Sequence, residues 1–212
     1  MADRAGRLSV VRDGLLVDFG GVLTTNVFDS FAEFCRDEGM APNTVRELFM
    51  QNPAAREALG DLETGRATEA EFEARFAPLV GVEPAEGLIS RLFARMHPDE
   101  RMFKGVAAAK RAGVRTGLVS NSWGEEGYDR ARFAELFDAV VISGEIGIRK
   151  PAPEIYALAA ERLGRAPERC VFVDDLAGNL KPAREIGMAT VLHRDAETTL
   201  AELEEHLGVS LR

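Results

Sequence analysis

Residues 15–23 read LLVDFGGVL, in which a short apolar run ends at Asp18 and two glycines follow. The run predicts a strand over 15–19. Four more apolar runs rich in β-branched residues occur further along the chain, at 115–120, 139–143, 170–174 and 189–193. Segments with helical periodicity lie between or after them, at 101–111, 131–137, 153–163, 179–186 and 197–207. This alternation predicts a doubly wound parallel α/β core, Rossmann-like, with strands buried on both faces.

The interval between the first two predicted strands shows only helical periodicity. Its helical candidates are punctuated by prolines at positions 42, 53, 78 and 84 and cover 28–35, 45–49, 56–62, 69–76 and 86–96. A structureless connection of this length is improbable, and open α/β sheets bind ligands beyond the carboxyl ends of their strands. We therefore expect residues 25–97 to form a helical cap domain above that edge, with 1–24 and 98–212 forming the core domain.

The composition limits the classes of function. The chain has 212 residues, of which 46% are hydrophobic, which suffices for one core and a small accessory domain. Its formal net charge of −9 argues against binding to nucleic acid or to an anionic membrane. No run is apolar enough for a signal peptide or a membrane span, so we expect a cytoplasmic protein. Cys35 and Cys170 lack the spacing of a metal site and are interpreted as core thiols.

Polar residues follow the carboxyl ends of the predicted strands. Asp18 ends the first strand, Ser120 lies in TGLVSNSW, and Asp174 and Asp175 lie in CVFVDDLAGNL. Lys150, in GIRKPAPEIY, follows the third predicted strand. Each residue alone is better explained by a helix cap, a turn or a surface corner than by catalysis. Together they converge on one edge of one sheet, which favours a catalytic site.

The same four motifs, in this order and at this spacing, resemble those of the haloacid-dehalogenase-like superfamily over essentially the whole chain. The stretch 144–187, with GIRKPAPEIY and FVDDLAGNL, is most similar to the N-terminal phosphatase domain of soluble epoxide hydrolases and to related bacterial phosphatases. The resemblance implies a Mg²⁺-dependent phosphomonoesterase. It would act on a small organic phosphate ester through an aspartyl-phosphate intermediate.

The resemblance also implies a metal site. Asp18 would be the nucleophile and would hold Mg²⁺ together with Asp175 and the backbone carbonyl of Gly20. Mg²⁺ prefers hard oxygen ligands and keeps several waters, so this set is sufficient. Asp174 and Asn179 would lie just outside the ligand shell, and Asn179 would orient a metal-bound water.

The substrate phosphate would be bound by three polar side chains and by the backbone. Ser120 would donate its hydroxyl, and Asn121 a side-chain or backbone N–H, to phosphate oxygens. Lys150 would reach the phosphate and balance the charge of the nucleophile. Gly20 and Gly21 would bring backbone N–H groups close to the phosphate, although a plain turn also explains them.

Aromatic residues near these motifs are open to two interpretations. Trp123 fits either a wall of the substrate pocket or a loop residue packed under a helix. Phe28, Phe31 and Phe34 recur at helical spacing and are predicted to belong mostly to the core of the cap.

The main departure from the family pattern is Gly20. Phosphatases of the superfamily typically carry an aspartate two residues after the nucleophile, as a general acid and base, a role worth about 10²–10⁴ in rate. Its absence leaves three interpretations: a substrate with a good leaving group, replacement by water or by a group such as His97, or a phospholigand-binding protein with little turnover. A 2-haloacid dehalogenase is a further alternative, disfavoured because Asp174 and Asp175 would repel each other without a cation.

Overall fold

The computed structural model describes residues 12–124 and 127–211, so most of the charged N-terminal segment lies outside the described residues. Five strands form its centre: β1 (Gly14–Val17), β2 (Arg115–Ser120), β3 (Ala139–Ile142), β4 (Cys170–Asp174) and β5 (Ala189–Leu192). They pair in parallel in the order β3-β2-β1-β4-β5. The predicted doubly wound parallel α/β core is confirmed.

Helices fill the connections between the strands. In chain order they are α1 (Val27–Asp37), α2 (Thr44–Gln51), α3 (Pro53–Glu63), α4 (Glu69–Val80), α5 (Leu88–Leu92), α6 (Glu100–Arg111), α7 (Arg130–Leu136), α8 (Ser143–Ile146), α9 (Pro153–Leu163), α10 (Ala177–Glu185) and α11 (Ala196–Leu207). A single 3₁₀ turn, Pro167–Arg169, precedes β4.

Alternate residues of the central strand face opposite layers. Leu15 and Val17 pack in one hydrophobic cluster with residues of α6, α7 and α11. Leu16 packs in another, with residues of α9 and α10. All three side chains are fully buried, so β1 is covered on both faces, as the apolar run predicts.

The helices α1 to α5 pack around a hydrophobic cluster of their own. Its largest fully buried members are Phe31, Phe72, Phe76, Leu88 and Leu92. The two chain segments that connect these helices to the sheet lie side by side, through a bridge between Thr24 and Pro98 and a hydrogen bond from Thr25 N to His97 O of 2.8 Å. The division into a core domain and a cap domain at these residues stays a prediction.

Three local expectations differ from the structure. Pro78 does not end a helix: it lies inside α4, which continues to Val80 although the proline has no N–H to donate to the preceding turn. The candidate at 86–96 shortens to α5, because Gly87 begins the helix with a positive φ of 73° and Phe93 ends it. The third strand ends at Ile142, and the short helix α8 follows it without interruption.

Both cysteines are buried free thiols, as predicted, and burial raises the pKa of Cys170 to about 11. Within residues 12–124 and 127–211, no helix has the length and apolar character that a membrane crossing needs.

Candidate active site

Three neighbouring strands bring polar residues to the same edge of the sheet. β1 leads directly into Asp18, whose backbone N–H donates to Val173 O at 2.9 Å. β2 ends at Ser120, and β4 ends at Asp174. The strand order reverses at β1, which lies between β2 and β4, and open α/β sheets bind ligands at such a reversal. The parallel register therefore collects side chains that are far apart in sequence.

Lys150 lies between two carboxylates at this edge. Its Nζ is 2.7 Å from Asp18 Oδ1 and 2.7 Å from Asp174 Oδ2, and the residue is 3% exposed. Burial by itself lowers the pKa of the ammonium group, but the charges of Asp174 and Asp18 outweigh it and raise the pKa above the ordinary lysine value. Lys150 is therefore a permanent cation in the site.

The two oxygens of the Asp18 carboxylate have different surroundings. Oδ1 accepts hydrogen bonds from Lys150 Nζ and from Phe19 N, both at 2.7 Å. Among the described residues, no hydrogen-bond donor contacts Oδ2. Burial raises the pKa of Asp18 well above its ordinary value, against the attraction of Lys150 and with the help of the charge on Asp174. One oxygen is thus held in place, and the other is open for attack or for a metal.

Asp18, Asp174 and Asp175 form an acidic cluster in which one oxygen from each lies within 4.8 Å of the others. Burial and the charge of Asp174 raise the pKa of Asp175 to about 6. Three carboxylates face a single ammonium group, from Lys150, and the cluster has an excess of negative charge. Gly21 has φ +77°, and a Cβ there would overlap Asp175 Oδ2. The donor chemistry and the space kept by this glycine fit a small divalent cation such as Mg²⁺.

Asp174 is engaged by protein donors on both oxygens. Oδ1 accepts from Leu176 N at 2.8 Å and from Asn179 Nδ2 at 2.9 Å, and Oδ2 accepts from Asn179 Nδ2 at 3.0 Å and from Lys150. Asp18 and Asp175 are therefore the members of the acidic cluster best able to hold a metal. Because the side-chain nitrogen of Asn179 is used, its Oδ1 is the atom left to orient a water.

The motif TGLVSNSW brings Ser120 to the site, as predicted. A residue outside the motifs, Tyr128, contacts it. Ser120 Oγ donates to Asn121 O at 3.2 Å and lies 3.0 Å from the hydroxyl of Tyr128. The Asn121 side chain accepts from Lys150 N at 2.8 Å and donates to Lys150 O at 3.2 Å, which leaves its backbone N–H as the group for a phosphate. No motif marks Tyr128, so the sequence does not indicate its contact with Ser120, which lies eight residues earlier.

A cavity of about 410 Å³ lies between this edge of the sheet and the helices α1 to α5. Asp18, Ser120 and Lys150 lie at its polar end. The lining also includes several aromatic side chains: Phe28, Phe31, Phe49, Phe93 and Trp123. The volume falls in the range of ligand pockets in proteins, about 300–1,000 Å³.

Trp123 satisfies both of its sequence interpretations. It lines the cavity, and its ring packs against Phe93 and Phe31, at centroid distances of 5.0 Å and 5.6 Å. Phe28 and Phe31 line the cavity, whereas Phe34 is buried in the hydrophobic cluster of α1 to α5 and does not line it. The expectation that these phenylalanines are mostly core is therefore right for Phe34 and incomplete for the other two.

His97 is exposed where the connecting segments cross, and it is absent from the described residues that line the cavity. Its backbone N–H donates to Thr25 Oγ1 at 3.0 Å. This position fits a hinge residue better than a proton carrier.

Glu63, at the end of α3, contacts the segments that carry Asn121, Ser143 and Arg149. Its buried carboxylate accepts from Arg149 Nη1 and, at 3.4 Å, from Asn121 Nδ2, while Ser143 Oγ donates to its backbone oxygen. Burial raises the pKa of Glu63, against the attraction of Arg149. No local pattern in the sequence indicates this contact, because Glu63 and its partners are brought together only by the packing of α3 on the core.

The structure offers a steric reason for the glycine at position 20. A Cβ built on Gly20 would lie 3.0 Å from Cγ2 of Val27, the first residue of α1. An aspartate at this position would require Val27 to shift. The absence of an acid at position 20 and the position of the first residue of α1 are therefore sterically linked.

A family model for haloacid dehalogenase-like hydrolases matches residues 13–187. The chain is 38% identical over 117 residues to bifunctional epoxide hydrolase 2 of Sus scrofa, a match covering 52% of this chain and 21% of that protein. It is 42% identical over 83 residues to glyceraldehyde 3-phosphate phosphatase of Methanopyrus kandleri, covering 39% of this chain and 35% of that protein. These matches span well under two thirds of either relative.

A solved structure described as a predicted HAD-like family hydrolase from Porphyromonas gingivalis has a TM-score of 0.70 and 22% identity, covering 93% of this chain and 98% of that one. This similarity shows the fold. Since the family model spans most of the sequence, the chain belongs to the haloacid dehalogenase-like hydrolases.

Proposed function

We propose that the protein is a Mg²⁺-dependent phosphomonoesterase that uses Asp18 as its nucleophile and acts on a small organic phosphate. The observation that carries the proposal is the acidic cluster around Lys150: a buried carboxylate with one open oxygen, beside two further carboxylates and one permanent cation. Phosphoryl transfer to a carboxylate needs positive charge and hydrogen-bond donors around the phosphate.

The acidic cluster would hold Mg²⁺ through Asp18 and Asp175, with the backbone carbonyl of Gly20 as a further oxygen ligand. When bound, the ion neutralises phosphate charge and fixes the phosphoryl group in place. Asp174, held by Lys150 and Asn179, orients these ligands from behind.

In the first step, an Asp18 oxygen bonds to phosphorus while the bond from phosphorus to the ester oxygen breaks. Ser120, the backbone N–H of Asn121 and Lys150 donate to the remaining phosphate oxygens. In the second step, water attacks the aspartyl-phosphate and releases inorganic phosphate and free Asp18. Gly20 supplies no proton to the departing alcohol, so esters with weakly basic leaving groups are favoured.

The cavity supports an organic rather than a protein substrate. Its lining is largely aromatic beyond the polar residues. Contacts of Glu63 with Arg149 and of Trp123 with Phe93 connect the helices α1 to α5 to the core. A substrate held there is shielded from bulk water. We accordingly propose residues 25–97 as a cap domain over a core formed by 1–24 and 98–212.

The test is phosphate release from p-nitrophenyl phosphate and from a panel of sugar and alkyl phosphates, with and without Mg²⁺. Wild type, Asp18→Asn and the exposed-site control Asp29→Asn are compared. We expect turnover that needs Mg²⁺, is lost in Asp18→Asn and is retained in Asp29→Asn.

Two results would contradict the proposal in different ways. Tight binding of inorganic phosphate without any Asp18-dependent turnover would establish a phospholigand-binding protein. Release of halide from a 2-haloacid without Mg²⁺, together with no phosphatase activity, would establish a dehalogenase.

A further inference from the structure

Ser120 has one proton and two oxygen neighbours in the protein. Its Oγ donates to Asn121 O at 3.2 Å and lies 3.0 Å from the hydroxyl of Tyr128. To bind a phosphate oxygen, the serine hydroxyl must turn away from Asn121 O, and its own lone pairs then need a donor. The phenol of Tyr128 is positioned to be that donor.

Tyr128 is held rigidly at this position. Its ring packs against Phe19 at a centroid distance of 5.2 Å and against Phe133 at 5.9 Å, and the guanidinium of Arg130 lies 5.3 Å from the ring centroid. Phe19 follows Asp18 directly, so the tyrosine is coupled to the loop that carries the nucleophile. Few other rotamers are open to a ring packed on three sides.

The phenol keeps its proton at neutral pH. Burial raises the pKa of Tyr128 to about 12, slightly opposed by its hydrogen bond with Ser120. The alternative acceptor for this proton, Asn121 O, is 3.5 Å away and outside the normal hydrogen-bond range. Ser120 Oγ, at 3.0 Å, is the closer acceptor.

We propose that Tyr128 is a positioning residue for phosphate binding: its O–H donates to Ser120 Oγ, so that the serine's own proton points at a phosphoryl oxygen. A hydroxyl that accepts a hydrogen bond becomes a stronger donor, so the pair binds phosphate better than serine alone. The inference rests on the proposed function, in which Ser120 is a phosphate donor.

The experiment compares Tyr128→Phe with Tyr156→Phe, because the chain has two tyrosines. Tyr156 has a buried hydroxyl without a partner among the described residues, and its ring packs against Phe172 in the core. Both variants lose one phenolic oxygen and keep the ring. We measure two quantities in the wild-type and Ser120→Ala backgrounds. The first is the binding of inorganic phosphate in the presence of Mg²⁺, and the second is kcat/KM on p-nitrophenyl phosphate and on an alkyl phosphate.

We expect Tyr128→Phe to weaken phosphate binding about 3- to 10-fold, the range of one hydrogen bond, while Tyr156→Phe leaves binding unchanged. The loss in kcat/KM should be equal for the aryl and the alkyl ester. In the Ser120→Ala background, Tyr128→Phe should have less than about a twofold effect, because the tyrosine acts through the serine.

Three results would overturn the inference. Unchanged phosphate binding in Tyr128→Phe would show that the hydrogen bond has no role in binding. A loss that grows with the basicity of the leaving group would identify Tyr128 as a proton donor instead. An equal loss of phosphate binding in the wild-type and Ser120→Ala backgrounds would show that Tyr128 does not act through Ser120. Absence of phosphate binding in the wild type would instead refute the proposed function itself.

Discussion

Replacement of Lys150 by methionine tests the electrostatic account of the site most directly. The methionine keeps most of the apolar stem and removes the ammonium group that lies 2.7 Å from both Asp18 and Asp174. Asp174 is fully buried and Asp18 is 7% exposed, so the variant leaves two carboxylates uncompensated in the protein interior. Breaking a buried ion pair in this way costs about 3–5 kcal/mol.

In a chain of this size, 1 kcal/mol corresponds to roughly 2–4 °C in the unfolding midpoint, so we expect Lys150→Met to lower Tm by about 6–20 °C. The exposed Lys181→Met is the control and should leave Tm unchanged within error. The double variant Lys150→Met with Asp174→Asn should recover part of the loss, because one of the two carboxylates is then neutral.

The assays are thermal unfolding, which gives Tm, and urea unfolding, which gives the free energy of unfolding, both without Mg²⁺. Both are followed by far-ultraviolet circular dichroism and by the fluorescence of Trp123, the one tryptophan in the sequence. The pH dependence has a definite sign. Without Lys150, the folded-state pKa of Asp18 rises further above its unfolded value, so the loss of stability is largest at neutral pH and shrinks as Asp18 protonates in acid. Two results would refute the reasoning: a decrease in the free energy of unfolding of less than about 1 kcal/mol at neutral pH, or a decrease that becomes larger in acid.

Three further predictions concern the metal and the missing acid. Gly21→Ala should weaken Mg²⁺ binding about 10–100-fold, measured by calorimetry, because the added Cβ would overlap Asp175 Oδ2. The control is Gly39→Ala, which has φ +71° and open space around it and should leave Mg²⁺ binding intact. Mg²⁺ affinity in the wild type should fall about tenfold per pH unit below about 6, because the Asp175 proton must leave before the metal binds; a flat profile between pH 5 and 7 would contradict this. Gly20→Asp combined with Val27→Ala should raise kcat on alkyl phosphates by at least about tenfold and much less on p-nitrophenyl phosphate, and an equal gain on both would argue against a restored acid.

The sheet and its polar edge could be predicted because their signals are local. The five apolar runs correspond to the five strands, and both ends of every strand lie within two residues of the predicted limits. In a parallel sheet the carboxyl ends of the strands meet at one edge, so the sequence alone predicts Asp18, Ser120 and Asp174 close together. The proposed chemistry rests in addition on the resemblance of the four motifs to a known family.

The boundaries that failed depend on local hydrogen bonding more than on periodicity. Apolar spacing extends α5 over 86–96, but Gly87 and Phe93 limit the helix to five residues. Pro78 was expected to end a helix, yet α4 continues through it to Val80, because the packing of the helix outweighs the loss of one backbone hydrogen bond.

Residues that lie far apart in sequence depend on how the helices pack. Tyr128 contacts Ser120 because its ring packs against Phe19. Glu63 contacts Arg149 because α3 packs on the core. No periodicity or motif encodes such contacts, since they are fixed by packing angles and by the space that other side chains leave.

The sequence by itself therefore determined the sheet, the carboxylates and lysine at its edge, and the absence of an acid at Gly20. The tertiary structure alone decided that Val27 occupies the space beside Gly20 and that Phe28, Phe31 and Trp123 line the cavity. The physical reason is the range of the interactions. Strand pattern and motif chemistry are properties of neighbouring residues, whereas cavity shape results from the close packing of segments that meet only in the folded chain.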